Sequence, residues 1–462
     1  MANKIQFNER LPDIRNSNRI WQRAAGLIPA GTQTLAKGPT QFTNGVAPKY
    51  LVRGQGARVW DVDGNEYLDF NMGIGPIILG YCHPEVDEAV HRQLEDGITF
   101  SLMHPLEVEL AEVLREVIPN TESVRFSKTG CDVTSAAVRL ARAFTGREKV
   151  LCCGYHGWHV WYIAVTDRNA GIPRCTHDLT HTFNYNDIRS VVDSIDDDTA
   201  CVILEPFVVE RPREGFLAEL REICDRNGAL LVFDEMWTGF RCALGGAQKF
   251  LGVRSDLSLF SKAMANGMPL SAITGRRDVM SLLEKEVFFF TTFGGEVLSL
   301  AASVACIDFI RTHGVIPHLA RVGQRLLEGL CRLITDLQMP YVSVAGYPFR
   351  TMVNFAASAG DALEMKTLVQ QELIRRGILW SGIHNLCHAH TEADIDYALE
   401  AYADVLPVLK NAVESGDVRS QIQGEVLQPV FRKTSNFHTK PKAQPDVDRP
   451  GVDRPSVVSA AR

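Results

Sequence analysis

From about residue 105 to 310, short apolar runs alternate with stretches whose apolar residues recur at helical spacing. Val133, Ala136, Ala137, Leu140, Ala141 and Phe144 form one stripe on a helix over 132–144. Gly146 stands just past its end, where a left-handed residue closes many helices. The run 201–204 reads as a strand. Phe216, Leu220, Ile223 and Cys224 then mark a second amphipathic helix that stops near Gly228. The run 229–233 reads as the next strand and leads directly into Asp234. Strand and helix in repeated alternation predict an α/β fold with a mainly parallel sheet, covered by helices on both faces.

The flanks read differently. Residues 1–50 are rich in Gly, Pro and Thr, with one helical stretch over 18–25. Residues 58–69 alternate apolar and polar around Asp63-Gly64, a hairpin on an Asp-Gly turn. Residues 315–430 mix helices with short strands, as expected of a smaller α+β domain. From Lys433 the chain holds repeated Val-Asp-Arg-Pro units (447–450 and 452–455) and few large apolar residues, so it is expected to stay disordered or to lie over the surface. The expected division is an N-terminal segment 1–85 joining the small domain, a large domain 86–315, a C-terminal small domain 316–430 and a tail 431–462.

With 462 residues, 45% of them hydrophobic, the chain can bury a large core. Its net charge of −7, without a run of Lys or Arg, argues against nucleic acid or an anionic membrane as partner. The polar start lacks the apolar segment of a secretory signal. Apolar runs such as 230–233 and 287–290 have the length of core strands rather than of membrane spans. Eleven cysteines without a CxxC pair suggest reduced, buried thiols, no metal, and the cytoplasm as compartment.

Ligands in open parallel sheets bind beyond the carboxyl ends of the strands. Three polar sites follow apolar runs there. After Val124 to Phe126 comes Ser-Lys-Thr129-Gly130-Cys131-Asp132, a small-residue loop opening the first helix. Backbone amides at such a start favour an anion, Gly130 allows close approach, and Thr129 adds a hydroxyl; an ordinary strand-to-helix turn has the same composition. Asp234, directly after four apolar strand residues, needs a cationic partner such as a protonated pyridine nitrogen, unless it is a plain helix cap. Lys262 closes the segment 256–262, one strand–helix–strand step later, where a half-buried amine can attack an aldehyde and carry protons. Taken alone it would be a surface charge.

At these residues the sequence resembles the class III aminotransferases of the fold type I pyridoxal-phosphate enzymes, above all glutamate-1-semialdehyde aminomutase and its related aminotransferases. The resemblance runs from about residue 20 to 405. It implies a seven-stranded, mainly parallel sheet, pyridoxal 5′-phosphate as cofactor, Asp234 against the pyridine nitrogen and Lys262 as the Schiff-base lysine. Thr129-Gly130-Cys131 resembles the family's Ser-Gly-Thr phosphate loop, with a cysteine in place of the last hydroxyl. Cys153-Gly-Tyr155-His156-Gly157 is similar to its Tyr-His-Gly turn, which implies that Tyr155 stacks on the cofactor and that His156 lies beside it. Met236 would then pack on the opposite face. Glu205 resembles a family glutamate near the cofactor. Thr292, in Thr-Thr-Phe-Gly-Gly, resembles the threonine that reaches the neighbouring subunit's phosphate, which implies a homodimer with shared sites. Glu296 stands where the family usually has Asn.

The implied reaction is a ping-pong transamination from an amino-acid donor, glutamate first, to a carbonyl acceptor. Thr34 and Lys37 replace Ser and Arg of the aminomutase's substrate segment, and Ile74 replaces its tryptophan. Lysine gives up bidentate carboxylate recognition. These departures favour an aminotransferase acting on another carbonyl compound, such as a sugar or secondary-metabolite aldehyde or ketone, over a 2,1-aminomutase. Arg241 is a further candidate for a substrate carboxylate, with a structural role as the alternative. His388 and His390 have the look of a metal pair, but nothing completes a site, and packing is the favoured reading.

Overall fold

The computed structural model describes residues 10–207 and 209–429. Its central sheet has seven strands: Ser123–Ser127, Lys149–Cys153, Thr180–Thr182, Thr199–Leu204, Leu230–Asp234, Leu257–Phe260 and Ser271–Gly275. Across the sheet they stand in the order first, seventh, sixth, fifth, fourth, second, third. Ser271–Gly275 runs antiparallel to both neighbours, and every other pairing is parallel. The mainly parallel α/β reading holds.

The interior strands read as unbroken apolar runs because both of their faces are covered. Val150, Cys152, Cys201, Ile203, Leu230 and Val232 share a core with Val133, Ala136, Ala137, Leu140 and Ala141 of the helix Gly130–Thr145. Leu151, Cys153, Val202, Leu204, Leu231 and Phe233 share another with Phe216, Leu220 and Ile223 of the helix Phe216–Asn227. Odd and even residues of the same strands thus face opposite layers. Both helices stop at left-handed glycines, Gly146 at φ 68° and Gly228 at φ 64°.

The hairpin predicted over 58–69 is present as Arg58–Asp61 against Glu66–Asp69, with Gly64 at φ 88° in the turn. Leu51–Gln55 extends this sheet on one side. On the other, Ile378–Leu379 pairs in parallel with Glu66–Asp69, so early and late parts of the chain share it. A third sheet holds Val342–Tyr347, Arg350–Phe355 and Ile383–Asn385. The early helix covers Arg15–Ala25.

The run 287–290 is not a strand: Val287 is buried, while Phe288 and Phe290 face outward. The tail expected to lack structure falls outside the described residues. None of the eleven cysteines is bridged. Among the described residues no single helix is long and apolar enough to cross a membrane.

Candidate active site

Asp234, Lys262 and the 129–131 and 155–157 segments lie at or just past strand ends on one rim of the central sheet. Asp234, the last residue of Leu230–Asp234, is 1% exposed. Its Oδ2 lies 2.8 Å from His156 Nδ1, and its Oδ1 accepts the Met236 amide at 3.1 Å. His156 Nε2 lies 3.2 Å from the Cys153 carbonyl oxygen. Both ring nitrogens thus lie against an oxygen, which fixes the orientation of the imidazole beside Asp234. Those contacts give both carboxyl oxygens of Asp234 a partner in this dry position. Glu235 points the other way, accepting from the Ala247 and Gln248 amides at 2.8 and 3.2 Å and from Thr238. Burial pushes its carboxyl up to about 7.

The loop before the helix Gly130–Thr145 is fixed by a capping box. Thr129 Oγ1 accepts the Asp132 amide at 3.3 Å, and Asp132 Oδ2 accepts the Thr129 amide at 2.8 Å and the Ser127 hydroxyl at 2.8 Å. The box accounts for the helix beginning at Gly130 rather than near 132, and its Thr-x-x-Asp spacing was visible in the sequence. It leaves the first-turn amides of Gly130 and Cys131 for a ligand. A Cβ on Gly130 would lie 3.0 Å from Met236 Sδ, and one on Gly157 would lie 2.4 Å from Cys131 Sγ. Gly157, at φ 100°, leaves no room for a side chain, and the two approaches draw the 129–131 loop, the 155–157 turn and Met236 together. The Tyr155 amide donates to Glu205 Oε2 at 3.0 Å, while the Tyr155 ring, edge-on to Tyr162, stays partly exposed.

Lys262 follows the strand Leu257–Phe260 with a left-handed backbone, φ 46°, which is uncommon for a residue with a Cβ and concentrates at functional positions. Its Nζ sits 3.9 Å from the centroid of the Trp237 ring. On the same ring lies the Arg350 guanidinium, its Cζ 3.6 Å from the centroid. Gly75, at φ 92°, passes so close that a Cβ there would meet the indole at 2.3 Å. Trp237 and Arg350 were missed in the sequence. Trp237 stands three residues past Asp234 with nothing in the pattern to give it a role, and Arg350 is a lone cation in the largely apolar stretch 342–355.

Thr34 and Lys37 are exposed, and Thr292 is exposed on a loop whose neighbour Thr291 buries its hydroxyl oxygen without a hydrogen-bond partner. These three are not brought to Lys262 within one protomer by any described contact. Glu296 now has an account. It caps the helix Val297–Thr312 through the Leu298 amide at 2.8 Å and the Ser299 hydroxyl at 2.6 Å, and it pairs with Lys128 at 2.7 Å. Burial alone would push its carboxyl up, yet Lys128 and Ser299 hold it below the ordinary range. The pair ties the 129–131 loop to the loop carrying Thr292.

A buried carboxyl group held by a histidine, a lysine on an aromatic face with a left-handed backbone, and first-turn amides beside closely approached glycines fit a phosphorylated pyridine aldehyde. Comparison with known proteins agrees. The profile of the aminotransferase class-III family matches residues 42–347. The chain belongs to that family. The 3-aminobutyryl-CoA aminotransferase of Cloacimonas acidaminovorans is 35% identical over 410 residues, covering 86% of this chain and 98% of that protein. Glutamate-1-semialdehyde 2,1-aminomutase of Acetivibrio thermocellus is 36% identical over 417 residues, covering 84% and 96%. Among solved structures, the internal aldimine form of the Sphingopyxis sp. MTA144 FumI protein superposes with a TM-score of 0.81 at 28% identity, covering 86% of this chain and 97% of that one. This class III aminotransferase uses pyridoxal phosphate and has the fold type I architecture.

Arg241 is not placed to meet a substrate in the aminotransferase. Its side chain is 1% exposed, and its guanidinium donates to the backbone carbonyls of Leu386, at 3.0 Å, and Gly75. It sutures the strand-end loop to two remote segments, and burial lowers its pKa to about 10. Arg241→Met is expected to destabilise the fold by about 3 kcal/mol, because two buried carbonyls lose their donor. A thermal or denaturant melt reads this out; an unshifted melt with a raised Michaelis constant for the amino donor would return Arg241 to the substrate.

His388 and His390 do not converge. His390 stacks on Phe70, with centroids 4.9 Å apart, while His388 lies edge-on to Phe309 at 5.4 Å and 5.0 Å from His318. Among the described residues no group of three or more His, Cys, Asp or Glu is placed to hold a metal ion. Packing has a consequence for pH. Burial holds His384 down to about 3 and His390 to about 4, against an ordinary 6.5. The unfolded chain therefore binds protons that the folded chain refuses between roughly pH 6.5 and 4. Stability is full above that window and falls as pH drops through it, by about 1.4 kcal/mol per pH unit for each of the two buried rings. Denaturant melts between pH 7 and 4.5 measure the slope; in His384→Gln it becomes shallower, and an unchanged slope contradicts the assignment.

Proposed function

We propose that the enzyme transfers an amino group from an amino-acid donor, glutamate first, to a small carbonyl compound, a sugar or secondary-metabolite aldehyde or ketone, in two half-reactions. The observation carrying this reading is the presence at one rim of the sheet of Lys262, on the Trp237 ring, and of buried Asp234, held by His156 at 2.8 Å. Bound pyridoxal phosphate supplies an electron sink for the carbanion formed when the donor loses its proton. Around it the chain's own groups divide the work. The Gly130 and Cys131 amides and the Thr129 loop bind the phosphate. Tyr155 and Met236 bound the ring. Asp234, braced by His156 and the Met236 amide, holds a proton on the ring nitrogen. The Lys262 amine, once free, removes the donor's proton and returns it in the second half-reaction. Glu205 holds the turn that carries Tyr155.

A second reading, a 2,1-aminomutase that keeps one substrate through both halves, is favoured by the likeness to aminomutases at 36% identity. Against it stand Thr34, Lys37 and Ile74 at the positions where that family recognises its semialdehyde. Requirement for a separate donor separates the two. In single-turnover experiments on the amine-loaded enzyme, a panel of aldehydes and ketones is expected to be aminated with glutamate restoring the starting form. Turnover of glutamate semialdehyde alone, without added donor, would overturn the transfer reading.

We also propose that two copies assemble with their sites at the interface. Phe288, Phe290 and Phe293 bracket Thr292 and are 72%, 62% and 57% exposed, a costly arrangement in water unless a second copy covers it. Light scattering is expected to report a dimer, and a monomer at assay concentration would exclude shared sites.

A further inference from the structure

One aromatic ring stands directly against the reacting amine. Lys262 Nζ lies 3.9 Å from the centroid of the Trp237 indole, so the nitrogen is at most that far from the plane of the ring and touches its face. Trp237 is 7% exposed and is clamped from two other directions. The Arg350 guanidinium covers the opposite face, its Cζ 3.6 Å from the centroid. Arg350 is itself buried and donates from Nε to Asn385 Oδ1 at 3.3 Å. Along the edge of the indole runs Gly75, where a Cβ would meet the six-membered ring at 2.3 Å. The glycine is held in its turn: its amide donates to the Asn71 carbonyl at 3.1 Å, and its carbonyl accepts from the buried Arg241 guanidinium.

A donor amine that exchanges with Lys262 brings its nitrogen to the place that Nζ leaves. The incoming nitrogen bonds to the cofactor carbon as the bond from that carbon to Nζ breaks, and it gives up to Nζ the hydrogens that make the lysine a primary amine again. An atom of the donor placed one bond, about 1.5 Å, nearer the indole than Nζ would stand at most about 2.4 Å from the ring. Carbon atoms pack at about 3.5 to 4.0 Å. A mobile side chain would yield to such an atom. A ring backed by a guanidinium and edged by glycine backbone does not.

We propose that Trp237 is a specificity-determining residue, a fixed wall beside the Lys262 amine that admits donors slender next to their amino-bearing carbon and turns away branched ones. Glutamate, unbranched at the carbon beside the one that carries its amine, is a donor of the admitted kind. This deepens the proposed reading of an amino-acid donor and rests on it.

The test uses two isomers of equal charge, L-norvaline and L-valine, which differ in branching beside the amino-bearing carbon, with L-glutamate as the slender reference. Single-turnover reactions of the cofactor-loaded enzyme give the maximal rate and half-saturating concentration for each. The wild type is expected to favour norvaline over valine about 10- to 100-fold, the discrimination that one misplaced methyl group brings. In Trp237→Ala that ratio falls at least about tenfold, through a gain on valine. Trp237→Phe, which keeps an aromatic face on the lysine and shortens the wall, lies between. Cofactor uptake, read by absorbance, and melting temperature are measured on each variant. A purely structural role would lower these and depress both isomers together, leaving their ratio alone, and that result overturns the assignment. A wild type indifferent to branching, or a ratio that falls only through loss on norvaline, overturns it as well. Should Trp237→Ala fail to fold, the ratio in Trp237→Phe decides, and one equal to the wild type's contradicts the wall. A wild type that binds cofactor and reacts with none of the three amino acids would instead overturn the donor reading beneath it.

Discussion

Lys262→Ala is expected to abolish amino-group exchange, lowering the rate by at least about 10⁴-fold, because the one amine that both carries the cofactor and moves the proton is gone. The location supports an effect this large. Lys262 sits on the Trp237 face with a left-handed backbone that only a constrained segment tolerates. Lys128, which follows the strand Ser123–Ser127 at the same rim, is committed to Glu296 at 2.7 Å. Folding should survive, since the alanine removes a half-exposed chain and leaves the strand Leu257–Phe260 intact. Stopped-flow exchange with the donor measures the rate. A variant keeping more than about a hundredth of wild-type turnover contradicts the assigned role.

Asp234→Asn is expected to lower turnover roughly 10²- to 10³-fold, about 3 to 4 kcal/mol in the chemical step, because a neutral amide no longer favours a proton on the ring nitrogen. The carboxyl group is 1% exposed and lies 2.8 Å from His156, where little water screens it. Asparagine keeps the shape and loses the charge. The loss therefore falls on maximal rate, with cofactor still retained by the 129–131 loop. If turnover is unchanged while cofactor affinity collapses, Asp234 serves as a mere anchor.

Much of the fold was legible because the central strands are buried on both sides. Leu230 to Phe233 has no polar residue to hide, and its unbroken apolar run ends where Asp234 must begin. Gly146 and Gly228 marked helix ends through a backbone state that other residues avoid. The run 287–290 looked the same by composition and is a loop, since hydrophobicity alone does not say whether a segment is covered within its own chain. The antiparallel placement of Ser271–Gly275 was equally invisible, because pairing direction leaves no trace in a short buried strand.

The site was legible where a residue type is costly in its setting, as with a carboxylate or an amine at the end of an apolar strand. It was illegible where function depends on distant segments meeting. Arg350 is far from Trp237 in sequence, and only the fold lays one on the other. Arg241 shows the converse, a motif residue whose neighbours in space turn out to be two backbone carbonyls.

Borohydride reduction of the cofactor-loaded protein, followed by peptide mass spectrometry, bears most directly on the chemistry assigned here. Reduction makes permanent any linkage between the aldehyde of pyridoxal phosphate and an amine. The expected result is a single phosphopyridoxyl mass on the peptide containing Lys262. That mass on any other lysine, or its absence from a protein saturated with cofactor, would contradict the account.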